Sequence, residues 1–285
     1  MTLPAPTGTR PKPCCHDLVL ERLGLRYGDL WAFRSVDLQL KSCSITAIVG
    51  PSGCGKSSLL SCLNRLDELE PTAKVEGRVT WGGTDIRSPF TDVVGLRRRI
   101  GMLFQRPTPF PISIRANIEL PLSEHGIGNR RERSDRCEQA LRSVGLWDEV
   151  ADRLHRRATT LSGGQQQRLC LARTLALQPE VLLMDEPCSA LDPLSAEIIE
   201  GLIAGLSGSY TVVLVTHDLA QARRLAQHLV VLWPGETGGS VVLSGDPATV
   251  DRDGARAFPR LARYLGLSAA DRPQLATIDD PVPGN

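Results

Sequence analysis

No apolar run in this sequence approaches the ~18 residues that a helix needs to span a bilayer. The longest, TVVLV (211–215) and HLVVLW (228–233), are far shorter. The opening MTLPAPTGTRPKPCCHD has no continuous apolar core, so a secretory leader is not expected. The chain is therefore expected neither to cross a membrane alone nor to be exported, and any membrane role needs a partner. Charge of one sign is also missing: 33 basic and 32 acidic residues leave a net charge of +1. That balance gives no pull toward nucleic acid or an anionic surface. The arginine clusters at Arg97–Arg99, Arg130–Arg131 and Arg156–Arg157 read as solvated helix faces. The eight cysteines form no C-x-x-C pair, which disfavours a zinc site. Scattered as they are, without an export signal, they read as reduced thiols. The Cys14–Cys15 doublet can suggest lipidation or metal binding, but reads as a chance pair in a loose tail. There is no internal repeat.

What is present is enough for a sizeable core: 285 residues, 41% hydrophobic and 23% charged. Residues 1–16 and 266–285 are proline-rich or polar and are expected to be flexible tails. Strand patterns follow from Leu18, in LVLERLGLRYG, VDLQL, SITAIVG and VEGRVTWGG. Residues 107–160 change to helix-like stretches rich in arginine and glutamate, ERSDRCEQALRSVG being the clearest. Then EVLLMD and TVVLVTH read as strands buried on both faces, alternating with the helical PLSAEIIEGLIAGL and DLAQARRLAQHL. The alternation predicts an α/β fold with a mainly parallel sheet and covering helices. Residues 107–160 are expected to be a helical insertion between core segments 17–106 and 161–250 of one domain, 17–265.

The first chemical signal is IVGPSGCGKSS (48–58), in which Gly50-x-x-x-x-Gly55-Lys56-Ser57 matches a phosphate-binding loop. It lies between a strand pattern and a helix pattern, the context such a loop requires. Its residues are Gly50, Pro51, Ser52, Gly53, Cys54, Gly55, Lys56, Ser57 and Ser58. Glycines let the backbone wrap with several N–H groups pointing inward, and the helix N-terminus adds to their pull on phosphate oxygens. Lys56 is expected to reach the β- and γ-phosphates, Ser57 to ligate Mg²⁺, and Ser58 to add a phosphate contact. A glycine-rich turn that merely precedes a lysine is the rival reading. Further on, VLLMDEP ends a strand in Asp185–Glu186, where ligands bind in open α/β sheets. Asp185 can hold Mg²⁺ through water, and Glu186 can polarise a water for attack on the γ-phosphate. No N-K-x-D motif reads a guanine base, so a GTPase is disfavoured.

The stretch TLSGGQQQRLCLARTL (160–175) resembles the signature of ATP-binding cassette (ABC) proteins. Other features follow in that family's order over about residues 17–250. Gln105 in GMLFQRPTPFP resembles the Q-loop, SALD (189–192) the D-loop, and His217 in LVTHD the switch histidine. Tyr27 in LRYGDLWAF sits where the family stacks an aromatic on adenine, with a core tyrosine as its rival. The resemblance implies a P-loop NTPase fold of RecA-like type with an antiparallel β portion and the helical insertion. It implies an ATPase with ATP and Mg²⁺ as cofactors, and Ser57, Gln105 and Asp185 at the metal. It also implies a head-to-tail homodimer. There Ser162, Gly163, Gly164 and Gln165 of one protomer would close over the γ-phosphate held by Lys56 of the other, with Glu186, His217 and Gln105 serving hydrolysis.

PSGCGKSSLLSCLNRLDEL, RRIGMLFQRPTPFPISIRANI and LWDEVADRL together are similar to ATP-binding subunits of Pst-type phosphate importers. That similarity implies two membrane-spanning permease subunits, an extracytoplasmic solute-binding protein and a peripheral place on the cytoplasmic face of the cell membrane. No nucleic-acid partner is expected. An importer for a polar amino acid or another oxyanion is the alternative, and a non-transport ABC ATPase a more distant one. Four departures are visible: Ser58 where threonine is usual, Cys188 after DEP, THDLAQARR where an asparagine-containing stretch usually follows the switch histidine, and a poor match from WPGETGGSVVLSGD onward.

Overall fold

The computed structural model describes residues 16–250 and 259–266. The Cys14–Cys15 doublet and nearly all of both expected tails lie outside the described residues. Two compact units are formed: Val94–Val212, and residues 16–93 together with 213–250 and 259–266.

The latter unit opens with β1 (Leu18–Tyr27) and β2 (Leu30–Leu40), paired antiparallel. From Val36 to Leu40 buried and exposed residues alternate, as in a strand with one face on a core. The pairing slips where Arg22 and Ser35 take positive φ, 47° and 51°, and Asp37 caps the irregularity by accepting from the Arg22 N–H at 2.8 Å. Next come β3 (Ile45–Val49), buried throughout, and α1 (Lys56–Leu63). The helical pattern in KSSLLSCLNRL runs on past Leu63, but the helix stops there because Arg65 turns left-handed, φ 61°. That turn sends the Arg65 guanidinium to the carbonyls of Ile86 and Ser88 at 3.2 and 3.1 Å. Beside it Arg87 grips Asp67 with two bonds of 2.9 and 2.7 Å, anchoring the exit of α1. β4 (Ala73–Trp81) pairs with β1 and turns into β5 (Thr84–Asp85) through Gly82–Gly83. Both glycines have positive φ, 58° and 77°, as a tight two-residue hairpin turn demands.

The unit Val94–Val212 takes up α2 (Val93–Arg99), β6 (Ile100–Leu103), α3 (Ile114–Glu124), α4 (Arg130–Ser143), α5 (Trp147–Val150), α6 (Gly163–Ala176), β7 (Val181–Asp185) and α7 (Pro193–Leu206). β6 and β7 run parallel, from Ile100↔Val181 to Leu103↔Met184. Helices α3, α4 and α6 pack on one another. α4 buries Cys137, Ala140 and Leu141, one stripe at helical spacing, and burial pushes the Cys137 thiol up to about 12. Its start is set by Asn129, which accepts from the N–H groups of Arg131 and Glu132. α7 coincides with PLSAEIIEGLIAGL, begun by the Asp192 cap and Pro193.

β8 (Thr211–Val215) carries the chain back, followed by α8 (Leu219–Leu225), β9 (His228–Gly235), β10 (Gly238–Gly245) and α9 (Pro259–Tyr264). α8 is shorter than DLAQARRLAQHL suggested, since Ala226 is already extended and His228 begins a strand. The run LVVL is buried on both faces, a requirement that outweighs the helical pattern before it. β9 pairs parallel with β3 and antiparallel with β10, and β10 meets β2 at Gly239↔Phe33. The strands of this unit therefore follow the order β5-β4-β1-β2-β10-β9-β3. Ala47, Val49, Ala222, Leu229, Val231, Leu261 and Leu265 form a core cluster between its sheet and α8 and α9. Parallel strands with covering helices and an antiparallel portion make up the α/β organisation expected.

Candidate functional site

The glycine-rich loop joins the end of β3 to the start of α1. Its shape is enforced by main-chain neighbours. A Cβ at Gly50 would collide with the Leu232 carbonyl of β9, and one at Gly55 would lie 2.5 Å from the Ala32 carbonyl of β2. Gly55 also has φ 93°, in the left-handed region. Lys56 is only 6% exposed, and its Nζ donates to the carbonyls of Gly50 and Pro51, each at 2.8 Å. The ammonium thus closes the loop around itself. Cys54 points inward, its Sγ 3.9 Å from Lys56 Nζ; burial pushes its thiol up while the neighbouring cation partly opposes this. Ser57 is exposed, and half-buried Ser58 accepts from the half-buried Tyr27 hydroxyl at 3.4 Å. His217, exposed, follows Thr216, whose N–H donates to the Ile48 carbonyl of β3 at 3.2 Å.

Gln105, Ser162, Gly163, Gly164, Gln165, Asp185 and Glu186 all belong to the unit Val94–Val212. Gln105 leaves β6 and donates to Glu186 Oε2 and to Ser189 Oγ, both at 3.2 Å. Glu186 has φ 43°, a costly conformation for a residue with a Cβ. Its carbonyl holds the turn by accepting from the Ser189 N–H and hydroxyl at 3.1 and 3.0 Å. Ser162 caps α6: its hydroxyl accepts from the Gln165 N–H at 3.3 Å, and Gln165 Oε1 accepts from the Ser162 N–H at 3.1 Å. Gly164 is buried, and a Cβ there would strike Ser195 of α7.

Behind this cap lies a second set of charges. Glu149 of α5 accepts from Gln165 Nε2 at 2.7 Å and from the Arg168 guanidinium at 2.7 and 3.1 Å. Arg168 is nearly buried and also donates to the Gly145 carbonyl at 2.8 Å. Burial pushes the Glu149 carboxyl up, but the bonds from Arg168 and Gln165 outweigh it and hold it below the usual carboxylate range. Replacing Glu149 by alanine is expected to cost about 1–2 kcal/mol of stability, less than a fully buried pair because the carboxylate is part-exposed and screened. A depressed folded-state pKa means that this contribution is present above the ordinary glutamate value of ~4.3 and is lost as pH falls through the lower folded value. Urea denaturation of both chains at descending pH checks this: their midpoints should converge on acidification.

The family model described as ABC transporter matches residues 33–189. The chain belongs to the ABC transporter family. Phosphate import ATP-binding protein PstB 1 of Nitrosococcus oceani is 54% identical over 236 residues, which cover 82% of this chain and 85% of that protein. The protein of the same name from Vibrio parahaemolyticus is 50% identical, covering 76% and 80% of the two chains. Phosphate import ATP-binding protein PstB of Shewanella denitrificans is 48% identical, covering 77% and 80%. As an ABC ATP-binding chain this protein has the P-loop fold and binds ATP. Ser57 in one unit, and Gln105 and Asp185 in the other, each carry an oxygen donor of the hard kind that Mg²⁺ favours.

One residue of this ABC chain that pattern reading passed over stands directly against the loop. A Cβ on Gly239 of β10 would collide with the Cys54 carbonyl and lie 3.3 Å from that of Ala32. Two adjacent glycines in ETGGSV at the start of a strand are the sequence signal for such a close approach of main chains.

Proposed function

We propose that this chain is the ATP-hydrolysing subunit of a phosphate importer, working as a head-to-tail homodimer under two permease subunits. The observation that carries the reading is the capped signature helix, Ser162–Gln165 at the head of α6, in a chain 48–54% identical to proteins named for phosphate import. A helix head with free N–H groups and a serine hydroxyl suits an anion, and the glycine-rich loop before α1 suits another. Two anion sites per chain make sense when one nucleotide contacts both protomers.

In this reading the loop N–H groups from Ser52 to Ser58 and the Lys56 ammonium hold the phosphates, and Tyr27 stacks on the adenine. Lys56 can leave the Gly50 and Pro51 carbonyls for phosphate oxygens, which draw an ammonium more strongly. Ser57, Gln105 and Asp185 would hold Mg²⁺, which when bound would supply positive charge against the transferring phosphoryl group. Glu186 accepts a proton from the attacking water, Gln105 orients the carboxylate, and His217 donates to the γ-phosphate. Residues 107–160 form the helical subdomain facing the permease, and nucleotide binding drives closure because the closed dimer gains contacts from both sides. The extracytoplasmic binding protein delivers phosphate to the permease.

The test is twofold. Purified chain is expected to hydrolyse ATP, and Lys56→Ala to lower kcat/KM by at least about 10²-fold. In a deletion strain, the wild-type gene should restore labelled phosphate uptake while the Lys56→Ala gene should not. Restored uptake of a different oxyanion or an amino acid, with phosphate uptake unchanged, would reassign the cargo and leave the ATPase standing.

A further inference from the structure

Gln167 lies in the first turns of α6 and is fully buried. Its Nε2 donates to two main-chain carbonyls from separate segments, Phe104 at 3.3 Å and Pro187 at 3.1 Å. Phe104 immediately precedes Gln105, and Pro187 immediately follows Glu186. The two side chains thus flanked are bonded to each other, Gln105 Nε2 to Glu186 Oε2 at 3.2 Å. One amide group therefore fastens both backbones next to the pair. Its own oxygen, Oε1, is buried and accepts no hydrogen bond among the described residues.

That asymmetry has a physical meaning. A buried acceptor without a partner costs roughly 1–3 kcal/mol, which offsets part of what the two donated bonds contribute to stability, so stability alone is a weak reason for an amide here. What an apolar side chain could not do is hold two carbonyls from two segments with one rigid group. Glu186 needs such holding, because its left-handed φ is stable only where neighbours over-determine it. The anchor sits on α6, the helix that Ser162 and Gln165 cap.

We infer that Gln167 is a positioning residue for hydrolysis. It ties the attitude of the signature helix to the spacing of Gln105 and Glu186, so that movement at the head of α6 is felt at the carboxylate. The inference rests on the ATPase reading above and adds to it a route between two of its parts.

The variants are Gln167→Met, which keeps length and removes both donors and the orphan acceptor, and Gln167→Glu, which keeps shape. The measurements, on purified full-length chain, are kcat and KM for ATP, the melting temperature, and the pH dependence of kcat. Gln167→Met is expected to lose about 10–100-fold in kcat, as for a misplaced catalytic group. Its KM should stay within about threefold, and its melting temperature should fall only modestly, because removal of the orphan acceptor offsets part of the loss of the two bonds. In Gln167→Glu an ionised carboxylate would repel both carbonyls, whereas the protonated form donates to one. Its kcat relative to wild type should therefore rise as pH falls, a readout that survives if the methionine variant does not fold. A kcat within about twofold of wild type in either folded variant overturns the inference. So does a loss of kcat accompanied by parallel losses of melting temperature and ATP affinity, which would mark a merely structural amide. A wild-type chain that binds no ATP is a distinct result: it removes the ATPase reading, and the inference falls with it.

Discussion

Replacing Glu186 by glutamine is expected to lower kcat for ATP hydrolysis by about 10²–10⁴-fold, the usual worth of a positioned general base. ATP affinity should change little, because the substitution adds no bulk and removes no phosphate ligand. The Gln105 contact at 3.2 Å is the point at which the variant differs most. In the wild type an amide N–H faces a carboxylate oxygen; in the variant either amide can rotate to keep a neutral bond, which is roughly half as strong. The turn itself should persist, since the Ser189 N–H and hydroxyl bind the main-chain carbonyl of residue 186 rather than its side chain. The checks are steady-state turnover and equilibrium binding of labelled ATP, with size-exclusion chromatography in excess ATP to look for accumulated dimer. Turnover close to wild type would remove Glu186 from the catalytic role.

The second large effect comes from outside the recognisable motifs. Gly239→Ala should weaken ATP binding by at least about tenfold, because the new methyl group and the Cys54 carbonyl cannot occupy their present places together. Either β10 yields or the loop does. β10 is held by β9 along seven residue pairs from Gly238 to Gly245 and meets β2 at Phe33, whereas the loop around Gly53 is a short excursion. The loop is therefore expected to shift and take its inward N–H groups out of register with the phosphates. Isothermal titration with ATP checks this, and the melting temperature serves as control. Lost binding with near-normal stability is the expected pattern. A stability loss with unchanged affinity would show that the strand moved instead.

The contrast between these two positions shows what was readable in the sequence. The turn at Glu186 was legible because its local surroundings announce it: an apolar strand, an acidic pair and a tight turn in immediate succession. The glycine-rich loop between β3 and α1, and α7, were legible for the same reason, each carrying its own start signal within a few residues. The shortness of α1 and α8 was not, because both stops are imposed from a distance. Arg65 turns left-handed to reach carbonyls at Ile86 and Ser88, and His228 is claimed by β3 through the Thr46↔His228 pairing. Gly239 belongs to the same class. Its necessity appears only when β10 is laid beside the loop, a juxtaposition between residues 185 positions apart in the chain. Gln167 stood in plain view within the signature stretch, yet nothing in its spacing announces which carbonyls it will hold.

The hairpin of β9 and β10 pairs Gly235 with Gly238, leaving only Glu236 and Thr237 at its tip. Leu232 on one arm and Gly239 on the other abut the glycine-rich loop, at Gly50 and at Cys54. The hairpin thus acts as a calliper, and its jaw setting depends on how many residues form the bend rather than on which ones. Tip side chains are free to vary, whereas a single inserted or deleted residue would reset the gauge against which the glycine-rich loop is shaped.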